Sequence, residues 1–167
     1  MKTYIVDGYN LLWKLFPEKM TAAGIEKARK ELEGAIQEFL SLAGGSQALL
    51  VYDGEGSGSK LSDPQWGLRI CFSPGGVTAD ERILDLAQQY SGKGEVYVVT
   101  SDLKDIARRL GGIRAVHISS ETFRDKLAQS QNTARRDDPG EAETDEKPPA
   151  PKGGEIESWL QDFDMKE

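Results

Sequence analysis

The chain has 167 residues, 38% of them apolar and 29% charged, which suits one main domain with a tail rather than two full domains. A single cysteine and a single histidine exclude a disulfide framework, a cysteine-rich zinc site and multi-histidine metal chemistry, so any reaction falls to carboxylates. The net charge of −7 is uneven: residues 1–130 hold 16 Lys and Arg against 17 Asp and Glu, residues 131–167 hold 5 against 11. The acidity belongs to the tail, and a low pI does not bar a nucleic-acid partner from the nearly neutral front part. No apolar run approaches the roughly 20 residues of a membrane span, and the N-terminus lacks the apolar stretch of a signal peptide. A cytoplasmic protein with no membrane contact is expected.

Residues 3–6, Thr-Tyr-Ile-Val, predict a short buried strand ending at Asp7. Ile25, Ala28, Leu32, Ala35, Ile36, Phe39, Leu40 and Ala43 recur at helical spacing, and Gly44-Gly45 stops that helix. Residues 48–52 form a second apolar strand before Asp53-Gly54; residues 54–67 are Gly- and Ser-rich and predict an exposed loop. Leu68 to Ser73 predicts a third strand, ended by Pro74-Gly75-Gly76. Thr78-Ala79-Asp80-Glu81 is a capping box opening a helix with Ile83, Leu84, Ala87 and Tyr90 on its apolar side. Glu95 to Thr100 is the clearest strand. Ser101-Asp102 then opens a helix to about Leu110, Ile113 to Ile118 forms another strand, and Ser119 or Ser120 caps a helix to about Leu127.

Apolar strands alternating with amphipathic helices predict an α/β fold with a mainly parallel central sheet covered on both faces. The domain is expected over residues 1–128, followed by a disordered acidic linker rich in Pro and Gly over 129–154. A short amphipathic helix over 155–167 follows, with Ile156, Trp159, Leu160 and Phe163 on one face.

Three aspartates share one kind of position: Asp7, Asp53 and Asp102 each follow an apolar strand. In an open parallel sheet the crevice outside the carboxyl ends of the strands is where ligands bind. Asp80, at a helix start, reaches the same end, and Asp105 lies one turn beyond Asp102. Clustered carboxylates repel one another; a divalent cation with a preference for oxygen ligands, Mg²⁺ or Mn²⁺, makes such a cluster tolerable and suits hydrolysis of a phosphodiester. Asn10 supplies a neutral amide nearby. Each acid also has a plain role: Asp53-Gly54 is a turn pair, Asp80 and Asp102 suit helix first turns, and Asp105 reads as surface charge. Asp7 beside Gly8 has little structural duty on this reading. A haloacid-dehalogenase-type phosphatase would place a second Asp where Tyr9 stands, and Gly54, Gly56 and Gly58 open no helix, so they make a poor dinucleotide motif.

Ile5-Val6-Asp7-Gly8-Tyr9-Asn10-Leu11-Leu12 resembles the opening motif of NYN domains, a branch of the PIN-like nucleases, and Val51-Tyr52-Asp53-Gly54 resembles that family's second strand end. Thr78 to Ile83 and Val98 to Asp102 resemble the third and fourth motifs of its YacP-like subgroup, which includes a ribosome-associated endoribonuclease that cleaves messenger RNA. The resemblance covers about residues 1–127. It implies a PIN-like three-layer α/β/α fold and metal-dependent RNA cleavage, with Asp7, Asp80 and Asp102 as metal-binding catalytic acids. Asn10 joins the catalytic set as a supporting polar residue, and Asp53 is a further metal-binding acid whose motif serves the turn as much as the site. RNA, specifically mRNA, is the implied partner, with the ribosome as a second one and no DNA. An RNA- or ribosome-binding module that no longer cuts, and a phosphatase acting on small phosphate esters, are the alternatives.

Of the remaining residues, Trp13, Phe16 and Trp66 are aromatics able to stack on unpaired bases; Trp13 and Phe16 are expected to pack in the core instead, and Trp66 is divided between the two roles. Cys71 and His117 are expected to be ordinary strand residues. Arg108, Arg109, Arg114, Arg124, Lys126, Arg135 and Arg136 form a late basic stretch, each individually best explained as solvated surface.

Overall fold

The computed structural model of the chain describes residues 1–54, 62, 64–102, 106 and 108–137. The chain divides into two units, Met1–Arg136 and Asp137–Glu167, and all but the first residue of the second unit lies outside the described residues. Asp105, the linker beyond Asp137 and the terminal face of Ile156, Trp159, Leu160 and Phe163 therefore fall outside them as well.

Among the described residues, five strands form one sheet: β1 (Lys2–Asp7), β2 (Ser46–Tyr52), β3 (Leu68–Phe72), β4 (Glu95–Val99) and β5 (Val116–Ile118). Their order is β3-β2-β1-β4-β5, and every pairing is parallel. The register sets Val6 beside Leu50 on one side and Val99 on the other. All carboxyl ends therefore open on one edge, and the strand order reverses between β1 and β4, where such sheets bind ligands.

Among the described residues, the helices α1 (Gly8–Leu15), α2 (Ile25–Leu42), α3 (Ala79–Tyr90) and α4 (Ser120–Asp137) cover the sheet; residues 106, 108 and 109 are also helical, and the rest of the helix expected from Ser101 to Leu110 falls partly outside the described residues. Alternation along β1 sends Tyr4 and Val6 to one face, where they meet Leu11 and Leu12 of α1, Leu32 and Ile36 of α2, and Phe123 and Leu127 of α4. Ile5 faces the other way, against Ile83 and Leu86 of α3 and against Ile106 and Leu110. This makes three layers, α/β/α, as expected, with the two-residue period of the strands sorting the cores.

Several elements differ from the sequence expectation. Helix α1 has no counterpart in it. Eight residues are too few to be stable alone; α1 persists because Leu11 and Leu12 are fully buried, each worth roughly 1.5–3 kcal/mol. Gly8 permits that approach: a Cβ there would lie 2.5 Å from Tyr52 ring carbons and 3.0 Å from the Val51 carbonyl oxygen. Strand β5 is shorter than expected, beginning at Val116. Helix α4 outruns its expected end at Leu127 and reaches Asp137, so residues 129–137, expected as the start of the linker, are helical. Buried Ser130 anchors the extension by donating its hydroxyl to the Leu127 carbonyl at 2.7 Å.

Candidate functional site at the carboxyl edge of the sheet

Asp7 ends β1 and is the N-cap of α1, its Oδ1 accepting the Asn10 N–H at 3.2 Å. The expectation that it has little structural duty is thus corrected: a strand-end acid also satisfies one of the orphan donors of the following helix. Its carboxyl is pushed from 3.8 to about 6, first by burial, against the lowering effect of the Asn10 N–H, and then by Asp80, Asp53 and Asp102. The three other aspartates each add a raising effect smaller than that of burial.

Asp80 is half-buried in the first turn of α3, whose capping box holds as expected: Glu81 N–H donates to Thr78 Oγ1 at 3.2 Å and Thr78 N–H to Glu81 Oε2 at 3.1 Å. Asp53, one residue past β2, is exposed and accepts the Ser73 hydroxyl at 2.9 Å, while Gly54 takes a φ of +121° to turn the chain away. Asp102 is exposed beyond β4, its N–H donating to Thr100 Oγ1 at 3.1 Å.

Asn10 has a definite position. Its Oδ1 accepts two donors, the Ser101 N–H at 3.1 Å and the Ser120 hydroxyl at 2.8 Å. The side chain ties the start of α1 to the chain leaving β4 and to the start of α4, beside the carboxylates rather than among them. Ser119, not Ser120, caps α4, accepting the Thr122 N–H at 3.1 Å, which leaves the buried Ser120 hydroxyl for Asn10.

Sequence reasoning missed two residues on this rim. Lys14 pairs with Glu121 at 2.7 Å, and Glu121 also accepts the Ser101 hydroxyl at 3.4 Å. The lysine ammonium holds the Glu121 carboxyl below the usual range. The only prior signal was the Ser119-Ser120 cap, which puts Glu121 in a helix first turn but gives no spatial neighbour.

The edge thus gathers hard oxygen donors, with neither Cys71, buried in β3, nor His117, bonded to the Thr100 carbonyl at 2.9 Å, among the groups acting on Asp7. In donor chemistry this fits Mg²⁺ or Mn²⁺, and a cation would offset both the burial that chiefly raises the Asp7 carboxyl and the smaller repulsion from Asp80, Asp53 and Asp102. In geometry, among the described residues no group of three or more Asp, Glu, His or Cys side chains is arranged to hold a metal ion.

The aromatic expectations divide. Phe16 packs against the core, but Trp13 is 56% exposed and belongs to no core cluster. Trp66 is 85% exposed with a φ of +53°, and it precedes β3, which places it at the edge opposite the carboxylates. Arg108, Arg109, Arg114 and Lys126 are solvated, as expected. No described helix is long and apolar enough to cross a membrane.

The YacP-like NYN domain family matches residues 4–158. The crystal structure of Rae1 (YacP) from Bacillus subtilis superposes with a TM-score of 0.69 at 27% identity, covering 98% of this chain and 93% of that one. A crystal structure of a single-substitution variant of the same Bacillus subtilis protein gives a TM-score of 0.66 at 25% identity over 80% and 79% of the two chains. No curated protein matches the chain. With the parallel sheet, the carboxylate edge and a match over nearly its whole length, the chain belongs to the YacP-like NYN domain family, a family of nuclease type.

Proposed function

We propose that the chain is an endoribonuclease that depends on Mg²⁺ or Mn²⁺ and hydrolyses RNA phosphodiester bonds, with messenger RNA on the ribosome as its substrate and the cytoplasm as its location. The observation that carries this reading is the Asp7 carboxyl, raised to about 6 by burial and by Asp80, Asp53 and Asp102 together. An enzyme site tolerates such repulsion where a cation offsets it. Family membership supports the reaction class.

In this reading Asp7, Asp80 and Asp102 would hold the cation, with Asp53, engaged by Ser73, as a further acid. When bound, the ion supplies charge neutralisation at a phosphoryl oxygen and lowers the pKa of water. The protein's own contribution is placement. The α1 cap fixes the Asp7 carboxylate, the Thr78–Glu81 box fixes the first turn that carries Asp80, and Asn10 holds the chain before Asp102 through the Ser101 N–H.

One observation favours a second reading, an RNA- or ribosome-binding module that does not cut: no three acids among the described residues are arranged to hold an ion. Cleavage of single-stranded RNA with Mn²⁺ by the wild-type chain, Asp7→Asn and Asp80→Asn separates the two. The nuclease reading expects cleavage lost in both variants. Equal cleavage by all three proteins would place the activity elsewhere, and RNA binding with neither cleavage nor a response to metal would favour the module.

A further inference from the structure

Helix α1 carries more than the Asp7 cap and the Asn10 brace. Its core side is Gly8, Leu11 and Leu12, with Leu15 packed against the same cluster. Trp13 lies away from that side and is 56% exposed. A ring of this size left in water is common where a partner covers it. Trp13 follows Tyr9 by four residues and Asn10 by three, so both stand one turn nearer Asp7 on neighbouring rows of the same helix surface. Along the axis Trp13 sits about 9 Å beyond Asp7.

Cations flank this strip. The Arg29 guanidinium lies 5.2 Å from the Tyr9 ring centroid and hydrogen-bonds the Tyr9 hydroxyl. Lys14 is the residue next to Trp13. Arg29 is only 19% exposed and packs against the Tyr9, Tyr52 and Phe72 rings, so its charge stays in place. Lys14 is 42% exposed and its partner Glu121 45%, and an exposed pair of this kind is weak enough to give way to another anion. Among the described residues, the other exposed large apolar ones are Met1, Leu42, Trp66, Val77 and Val116, none of them on α1. Tyr9 and Phe16, four residues before and three after Trp13, pack against the core, so Trp13 is a single exposed ring with Asn10 a turn away and Lys14 next in the chain. That composition suits a nucleobase with its phosphate, whereas a protein partner would be met by a contiguous apolar patch. An aromatic face with cations beside it, starting at a carboxylate cluster, is the chemistry of a single-strand track.

We propose that Trp13 is a base-stacking platform for single-stranded RNA, receiving an unpaired base close to the phosphodiester held at Asp7, with Lys14 meeting a phosphate beside it. A ring can stack on a base face only where the strand is unpaired, so the preference for single strands follows. This rests on reading the carboxyl edge as an RNA site, and it adds the position at which the RNA is gripped.

The test uses the full chain carrying Asp7→Asn to block cleavage, and a short single-stranded RNA in which one abasic position is moved along the oligomer. Trp13→Ala is expected to weaken binding roughly 5- to 100-fold, and Trp13→Phe to recover part of that loss. With tryptophan present, one abasic position weakens binding; with alanine that position becomes indifferent. RNA-dependent quenching of indole emission is expected to shrink in Trp13→Phe. If Trp13→Ala binds as its parent does and senses every abasic position equally, the stacking role is refuted, while cleavage by the wild-type chain and its loss in Asp7→Asn leave the nuclease reading intact. If the wild-type chain neither binds nor cleaves RNA, both fall.

Discussion

Replacing Asp7 by asparagine is expected to stabilise the fold at neutral pH when divalent cations are absent. The Asp7 carboxyl is raised from 3.8 to about 6 in the folded chain. Folded molecules therefore hold a proton that unfolded ones have released across the window from about pH 4 to about pH 6. The contribution to stability is fully present below that window and is lost as pH rises through it. A shift of roughly two units corresponds to about 3 kcal/mol at most. Asp7 retains some contact with water, which reduces the expectation to about 1–2 kcal/mol. Asparagine is a comparable N-cap, so the bond from the Asn10 N–H is kept while the charge is removed. Urea unfolding of both proteins in a chelator at about pH 7.5 should show the variant more stable by that amount, with the difference shrinking at about pH 4.5 as the native carboxyl takes up its proton. Adding Mn²⁺ should reverse the order at neutral pH, since binding to the folded state alone adds about 2.7 kcal/mol at a concentration one hundred times the dissociation constant. A variant that is less stable at neutral pH, or an advantage that does not change with pH, would refute the electrostatic account of the edge.

Two other outcomes are expected. Asn10→Ala leaves the buried Ser120 hydroxyl and the Ser101 N–H without their acceptor; a loss of about 2–3 kcal/mol in urea unfolding is expected, and a loss below about 0.5 kcal/mol would mean the brace is not formed. Gly8→Ala drives a methyl against the buried Tyr52 ring and the Val51 carbonyl, and should cost about 1–3 kcal/mol, checked by thermal unfolding; an unchanged midpoint would show that α1 shifts freely.

Local pattern carried a large part of the architecture. Each of the five strands is an apolar run short enough and well enough punctuated to be read directly, and the Thr78–Glu81 box opens α3 where the four-residue signature says it must. Helix α1 was not legible. Eight residues that begin with Gly8 and Tyr9 hold too few turns for a helical period, and the helix exists through burial against β1, β2 and α2, the last two roughly 20 to 40 residues away in sequence. The length of α4 was hidden for a related reason: its last turns are polar, and nothing local distinguishes them from a linker.

The placement of acids after strands follows from the sequence alone, because a chain of alternating apolar strands and helices has one economical solution, a parallel sheet whose carboxyl ends share an edge. Which strands are neighbours, and so which acids act on Asp7, depends on the order β3-β2-β1-β4-β5. Tertiary structure alone decided that Asn10 accepts from Ser101 and Ser120, that Lys14 meets Glu121, and that Trp13 faces water while Leu11 and Leu12 do not. Periodicity records which side of an element is apolar; the partner of a polar group lies wherever the rest of the chain has been packed.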